Sequence, residues 1–329
     1  AAGEAQLRGR WRRGAGVESA MPLHTDAVLC VERAARHVVT ASADGAIGLT
    51  LAAADADPEP AGSLAGHSDQ VLSLHARGWR AASADGTVRV WCLRSAGEIA
   101  CCPWHVSTVH LADADTILCG VDGGGRRWWR DAASDDDTPA VALADWRAGA
   151  PVATFCDGAV PPDGVTTCIR RAAGVVVAGH TDAHVRVWDA STCQLSARFS
   201  LPFRAAARCV TIDADGREIL AGCANGWLVR CDLRTGAYER LFAHAECVNA
   251  AARAESPRLL LTASDDGRLR LSDLRSARAL ATHRLRRAGL SLAIDAHRAY
   301  VGCDDGVLRS FDYSARGAER AAADELAGS

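Results

Sequence analysis

Ser83-Ala84-Asp85-Gly86-Thr87-Val88-Arg89-Val90-Trp91 reads as a tight turn that feeds directly into a strand. Asp-Gly tolerates the positive φ that a short hairpin turn demands. Val88-Arg89-Val90-Trp91 alternates apolar and polar, as a half-buried strand does. Relatives of the turn recur at Ser42–Gly45 (SADG), Gly120–Gly123 (GVDG), His180–Ala183 (HTDA), Cys223–Gly226 (CANG), Ser264–Gly267 (SDDG) and Cys303–Gly306 (CDDG). Measured at Asp44, Asp85, Asp122, Asp182, Asn225, Asp266 and Asp305, the steps are 41, 37, 60, 43, 41 and 39 residues. Self-similarity at a fixed period near 40 marks a repeat architecture. Each copy has an apolar run before the turn and an alternating run after it, as in Val185-Arg186-Val187-Trp188, Leu228-Val229-Arg230-Cys231 and Leu269-Arg270-Leu271-Ser272. A second turn and a final short run follow, so each unit comprises four short strands.

The composition is that of an ordinary globular chain: 329 residues, 49% hydrophobic, 23% charged, with a formal net charge of −3. The longest apolar runs fall well short of the roughly 20 residues needed to cross a bilayer as a helix. All 37 basic positions are Arg, interspersed with acids, so there is no single-sign field of the kind a nucleic-acid binder carries. Thirteen cysteines, an odd number, stand singly except for Cys101-Cys102 and form no Cys-x-x-Cys pair. They read as reduced core thiols, and the expected location is cytoplasmic or nuclear. Residues 1–17 carry Arg but no following apolar segment, unlike a secretory signal, and the absence of an initial Met reads as a trimmed or incomplete start.

The period, a Gly66-His67 opening and a Trp188-Asp189 closing resemble the WD-repeat family of β-propellers over residues 17–316. The resemblance implies an all-β, seven-bladed β-propeller of four-stranded blades, flanked by tails at 1–16 and 317–329. It also implies a structural His-Ser-Asp-Trp relay, matched in blade two by His67, Ser83, Asp85 and Trp91. Blade one keeps His24, Ser42 and Asp44 but has Thr50 for the Trp. Blade six keeps His244, Ser264 and Asp266 but has Ser272, blade four keeps Asp182 and Trp188, and blade five has Cys223, Asn225 and Cys231.

A closed ring needs one strand from outside the last repeat. Val17–Leu23 lacks a blade of its own and is expected to complete blade seven beside three strands from residues 288–312, removing an exposed edge. The competing segment, Gly317–Ala323, is rich in Ala and Glu and better suited to a helix. The 60-residue step is explained by the ungapped match of Asp145–Phe155 to Asp232–Phe242. That match makes 140–144 and 150–155 the last two strands of blade three, leaving about 124–139 as an insertion in the turn between its second and third strands. A smaller extension at 157–164 opens onto the same face. The insertion contains Arg126, Arg127, Trp128, Trp129 and Arg130, residue types enriched at binding hot spots. Trp128 also lies as far after Asp122 as Trp91 lies after Asp85, so this stretch has an alternative reading as the third strand itself.

No catalytic arrangement emerges. His180 and His184 flank a turn rather than sharing a helix face. Gly123-Gly124-Gly125 precedes no helix, and Asp135-Asp136-Asp137 lacks the spaced oxygens of a calcium loop. No metal ligands and no cofactor are expected. The function read from these features is a non-enzymatic scaffold or adaptor that binds one or more proteins within a larger assembly. Two alternatives remain open. Asp232–Arg234, Asp273–Arg275 and Trp91–Arg94 distantly resemble the Trp-Asp-x-Arg box of substrate receptors of cullin-type ubiquitin ligases. An enzyme using the central channel would need convergent acids, bases or metal ligands, whereas the innermost runs Val71–His75, Val165–Ile169, Cys209–Asp213 and Cys247–Ala251 are mostly apolar.

Overall fold

A computed structural model of the chain describes residues 16–53, 56–120, 141–156, 164–254 and 258–314. Within these residues the strands group into seven four-stranded antiparallel sheets, arranged as a seven-bladed propeller, with one short 3-10 turn at Pro202–Arg204 and no α-helix. In six sheets the strand order follows the chain. In the seventh, Val17–Pro22 pairs antiparallel with Val307–Asp312, in register from Val17 with Asp312 to Pro22 with Val307. The expected closing strand is therefore in place. Ser19 and Ser310 share a hydroxyl hydrogen bond of 2.7 Å, and Glu18 lies 3.5 Å from Arg309 Nε. Met21 and Leu23 pack on a cluster drawn from Val28, Val31 and Val38 of blade one and Ala293, Tyr300 and Leu308 of blade seven.

Blade three consists of Thr108–Leu111, Thr116–Gly120, Val141–Asp145 and Ala150–Phe155. Its third strand is thus the one expected from the repeat alignment, displaced by one residue, and the alternative placing Trp128 in that strand is set aside. Asp122 and the hot-spot candidates Arg126, Arg127, Trp128, Trp129 and Arg130 lie outside the described residues.

The apolar core is divided into clusters that each span one blade interface. Ala82, Val88 and Val90 meet Val109, Leu111 and Ile117 between blades two and three; Leu261, Leu269 and Leu271 meet Ala299, Val301 and Phe311 between six and seven. Many of these residues are Ala, which lets adjacent sheets approach closely. Gly222 shows the limit: a Cβ there would lie 2.8 Å from Val248 Cγ1 and 2.9 Å from the Val248 carbonyl oxygen of the next blade.

The first strand of every blade lines the channel, and side chains near its start carry hydrogen bonds to the neighbouring blade. Cys30 Sγ donates to the Leu72 carbonyl at 3.4 Å, and Ser73 and Thr108 share a hydroxyl bond of 3.1 Å. Ser107 donates to Thr166 O at 2.6 Å, Thr167 to Ala207 O at 2.7 Å, and Cys209 Sγ to Val248 O at 3.7 Å. Asn249 Nδ2 donates to Gly289 O at 3.1 Å, and Ser291 Oγ returns to Val28 O at 3.3 Å. Every blade interface is crossed by at least one such bond.

Deleting residues 1–22 removes the closing strand and leaves Val307–Asp312 as an unpaired edge, a template for aggregation. The shortened chain is expected to lose solubility or cooperative unfolding; an unchanged melting temperature and full solubility would contradict the closure.

Candidate interaction face

The turns between second and third strands and the connections from each fourth strand to the next blade emerge on one face. Register makes this plain in blade three, where Thr108 pairs with Gly120, Gly120 with Val141 and Val141 with Phe155 along a single sheet end. The chain leaves the sheet at Gly120 and Phe155 on that face, so the two longest departures from the repeat both begin there.

Three blades staple their turn to the preceding connection through a histidine. In blade two His67 Nε2 lies 2.5 Å from Ser83 Oγ, Trp91 Nε1 donates to the same oxygen at 2.7 Å, and His67 Nδ1 contacts Asp85 at 2.9 Å. Asp85 also accepts the backbone N–H groups of Ser68 and Thr87, both at 3.0 Å, so one carboxylate fixes connection and turn together. Burial raises and hydrogen bonds lower the Asp85 carboxyl, and the hydrogen bonds win, holding it well below the usual carboxylate range. Burial outweighs Asp85 for His67, which is shifted below the usual histidine range.

Blades one and six correct the expected membership. His24 Nε2 bonds Thr40 Oγ1, not Ser42, at 2.8 Å, and His244 Nε2 bonds Thr262 Oγ1, not Ser264, at 2.8 Å. Asp44 and Asp266 take their expected places, 3.2 and 3.0 Å from the histidine Nδ1 atoms. Ser42 and Ser264 instead donate to the carbonyls of Asp26 and Glu246 and accept the N–H groups of Asp44 and Asp266. The cause is register. Thr40 faces Gly48 and Thr262 faces Arg270, each four residues after the turn Asp. In blade two the hairpin pairs Ser83 with Arg89 and closes tighter, at Ala84 with Val88 rather than Ala41 with Ile47, which brings Ser83 to the place held by Thr elsewhere. Thr50 and Ser272, at the Trp position, are fully buried with hydroxyls that find no partner among the described residues.

Among the described residues blade four shows no hydrogen bond or ion pair between Asp182 and Trp188. Trp188 Nε1 donates to the Cys156 carbonyl at 3.1 Å, and Asp182 is gripped by both terminal nitrogens of Arg186, at 3.1 and 2.7 Å. Blade seven repeats the clamp with Asp305 and Arg309 at 2.9 and 2.7 Å. These arginines had no assigned role in the sequence reading, although the four-residue Asp-to-Arg spacing is shared by both turns.

The channel, a cavity of about 400 Å³, is more polar than the apolar composition of its strands implied. Alternation accounts for this: Ser73, Thr108, Thr167, Arg170, Arg208 and Asn249 line it, while the apolar partners of these strands fill the interfaces. Burial raises Glu32, and Arg170, 3.6 Å away, opposes that shift. Burial also pushes the Cys30 thiol up to about 12, away from the thiolate that nucleophilic chemistry requires. His75 and His110 stack with centroids 3.8 Å apart; burial lowers His75 to about 3 and His110 well below the usual range. Among the described residues no three His, Cys, Asp or Glu side chains gather to hold a metal ion. The segments resembling a ligase box have ordinary structural uses: Asp232 and Asp273 accept the Arg234 and Arg275 N–H groups at 2.8 Å, and Arg94 stacks on Trp79 at 4.7 Å.

The shifted histidines set an acid sensitivity. His67, His75, His110 and His244 all have lowered folded values, so below about pH 6.5 the unfolded chain binds more protons and stability falls. Asp44, Asp85 and Asp266 act in the same direction below about pH 4, while Glu32, raised by burial, opposes the loss above its ordinary value. Denaturant unfolding between pH 7 and 5 should show a steady loss of stability; a flat or rising profile on acidification would contradict the buried neutral histidines.

The WD domain, G-beta repeat family matches residues 58–92, covering the outer strand of blade one and the first three strands of blade two. The chain is 38% identical over 65 residues to "WD repeat-containing protein SL1-17" of Schistosoma mansoni, a match spanning 20% of this chain and 22% of that protein. The matched repeat is also the blade with the full four-member relay, so the chain carries a WD repeat within a closed seven-bladed β-propeller and is similar to the WD-repeat family.

Proposed function

We propose that the chain is a non-enzymatic scaffold or adaptor that holds one or more protein partners on its turn-rich face as a subunit of a larger assembly. WD-repeat propellers generally mediate protein–protein interaction. The observation that carries the reading here is the stapling of turns to connections by His67–Asp85, His24–Asp44 and His244–Asp266. Loops already ordered lose little entropy when a partner docks. All thirteen cysteines are free thiols, which supports a reducing compartment, cytoplasm or nucleus.

The partner contact is assigned, from sequence, to Arg126, Arg127, Trp128, Trp129 and Arg130, between the second and third strands of blade three. Affinity purification of the full chain with mass spectrometry should recover stoichiometric partners. Trp128→Ala with Trp129→Ala should weaken capture by about 2 kcal/mol or more per anchor while leaving the melting temperature nearly unchanged. A stability loss of roughly 3–5 kcal/mol per Trp would make them core residues and sink this assignment.

A further inference from the structure

We propose that the mouth of the channel on the turn-rich face takes an extended segment of a protein partner in which a bulky apolar side chain stands beside a carboxylate. The inference rests on the scaffold reading and adds a second contact to it, with its chemistry specified. Each blade contributes one residue to this mouth, the middle one of three at the start of its first strand: Val28-Leu29-Cys30, Val71-Leu72-Ser73, Val106-Ser107-Thr108, Thr166-Thr167-Cys168, Ala207-Arg208-Cys209, Val248-Asn249-Ala250 and Gly289-Leu290-Ser291. All seven middle residues line the same cavity of about 400 Å³. In blades three, four and six they are Ser107, Thr167 and Asn249, which carry the bond to the next blade. In blades one, two, five and seven the residue after, Cys30, Ser73, Cys209 or Ser291, carries that bond instead. Leu29, Leu72, Arg208 and Leu290 are thereby released from holding the ring.

These four side chains divide the mouth into two sides. Leu290, Leu29 and Leu72 stand on the consecutive blades seven, one and two, and none of them is part of the apolar clusters between blades. Leu72 is 54% exposed, a large apolar side chain on a rim where it serves no core. Arg208, on blade five across the ring, is exposed as well. Among the described residues no carboxylate comes within ion-pair distance of it. Burial raises the Cys247 thiol, and the Arg208 guanidinium beside it opposes that shift. Asp265, which also acts on Cys247, accepts a hydrogen bond from Asn249 Nδ2 at 2.6 Å.

Below the mouth the channel is crossed by an ion pair. Glu32 of blade one and Arg170 of blade four, each three residues beyond the mouth residue of its strand, lie 3.6 Å apart although their blades are not neighbours. Three residues of strand descend roughly 10 Å. A segment entering from the turn-rich face therefore meets a charged floor, and a space of about 400 Å³ above it suits a few side chains rather than a helix about 10–12 Å across. Glu32 is the one carboxylate among the described residues that line the cavity, and it faces Arg170. Arg208 is left to select a carboxylate from the partner, while the three leucines take an apolar side chain out of water.

The test is selection of short random linear peptides from a phage-displayed library on the full chain, followed by fluorescence anisotropy with the most enriched sequence made synthetically. The enriched set is expected to place Leu, Ile, Met or Phe next to, or one residue from, Asp or Glu. Leu72→Asp and Arg208→Glu, both at exposed positions, should each weaken the synthetic peptide about tenfold or more without moving the melting temperature. Arg234→Glu, on the opposite face, should leave its affinity unchanged. Replacing the acid of the peptide by Lys should cost the wild-type chain a similar factor and restore binding to Arg208→Glu, as a direct charge contact requires. No enrichment, an enriched set without the apolar and acidic pair, or an affinity that survives both substitutions overturns the proposal. Partner capture is scored on the same wild-type preparation: partners without an enriched peptide leave the scaffold reading standing and remove this site, and neither result removes both.

Discussion

Seven side-chain hydrogen bonds pass from blade to blade around the channel, and the last, from Ser291 to the carbonyl of Val28, can form only once the chain has come full circle. Each bond is modest alone. Their effect is positional, because a donor at one first strand reaches an acceptor on the next only if the two sheets sit at one separation. Gly222 and the alanines at the interfaces make that separation attainable, since a larger side chain would hold the sheets apart. This explains how a chain with only 5% aromatic residues builds an ordered core: many small interfaces, each set by a polar contact at the channel, replace one large apolar centre.

The same geometry orders the turn-rich face. Where a histidine is available in the connection, it bridges to the turn Asp and joins two loops. Where it is not, in blades four and seven, the Asp closes on an Arg of its own hairpin. Both solutions hold the Asp turn, but the clamp stays within one sheet and draws a buried guanidinium to the rim. In blade seven the closing strand provides Glu18 to balance that charge.

Much of the fold was legible in the sequence because a propeller repeats its turn at a fixed spacing. The turns placed the blades, the surplus run at Val17–Leu23 identified the closing strand, and the match of Asp145–Phe155 to Asp232–Phe242 located the third strand of blade three. What escaped depended on register. Ser42, Ser83 and Ser264 all stand two residues before their Asp, but blade two pairs its hairpin differently, and only Ser83 meets its histidine. Cys30, Ser107, Thr167, Asn249 and Ser291 show no shared motif along the chain, because what unites them is a position on a first strand.

The central claim is that the ring is one cooperative unit, secured blade to blade at the channel, rather than a string of independently stable repeats. Native-state hydrogen exchange resolves this, since it reports the opening free energy of each strand separately. The slowest amides of the first strands, from Val28–Ala34 in blade one to Gly289–Ile294 in blade seven, should exchange with a common opening free energy equal to that of global unfolding. Graded values from blade to blade, or early exchange confined to blade seven and its closing strand, would contradict the account.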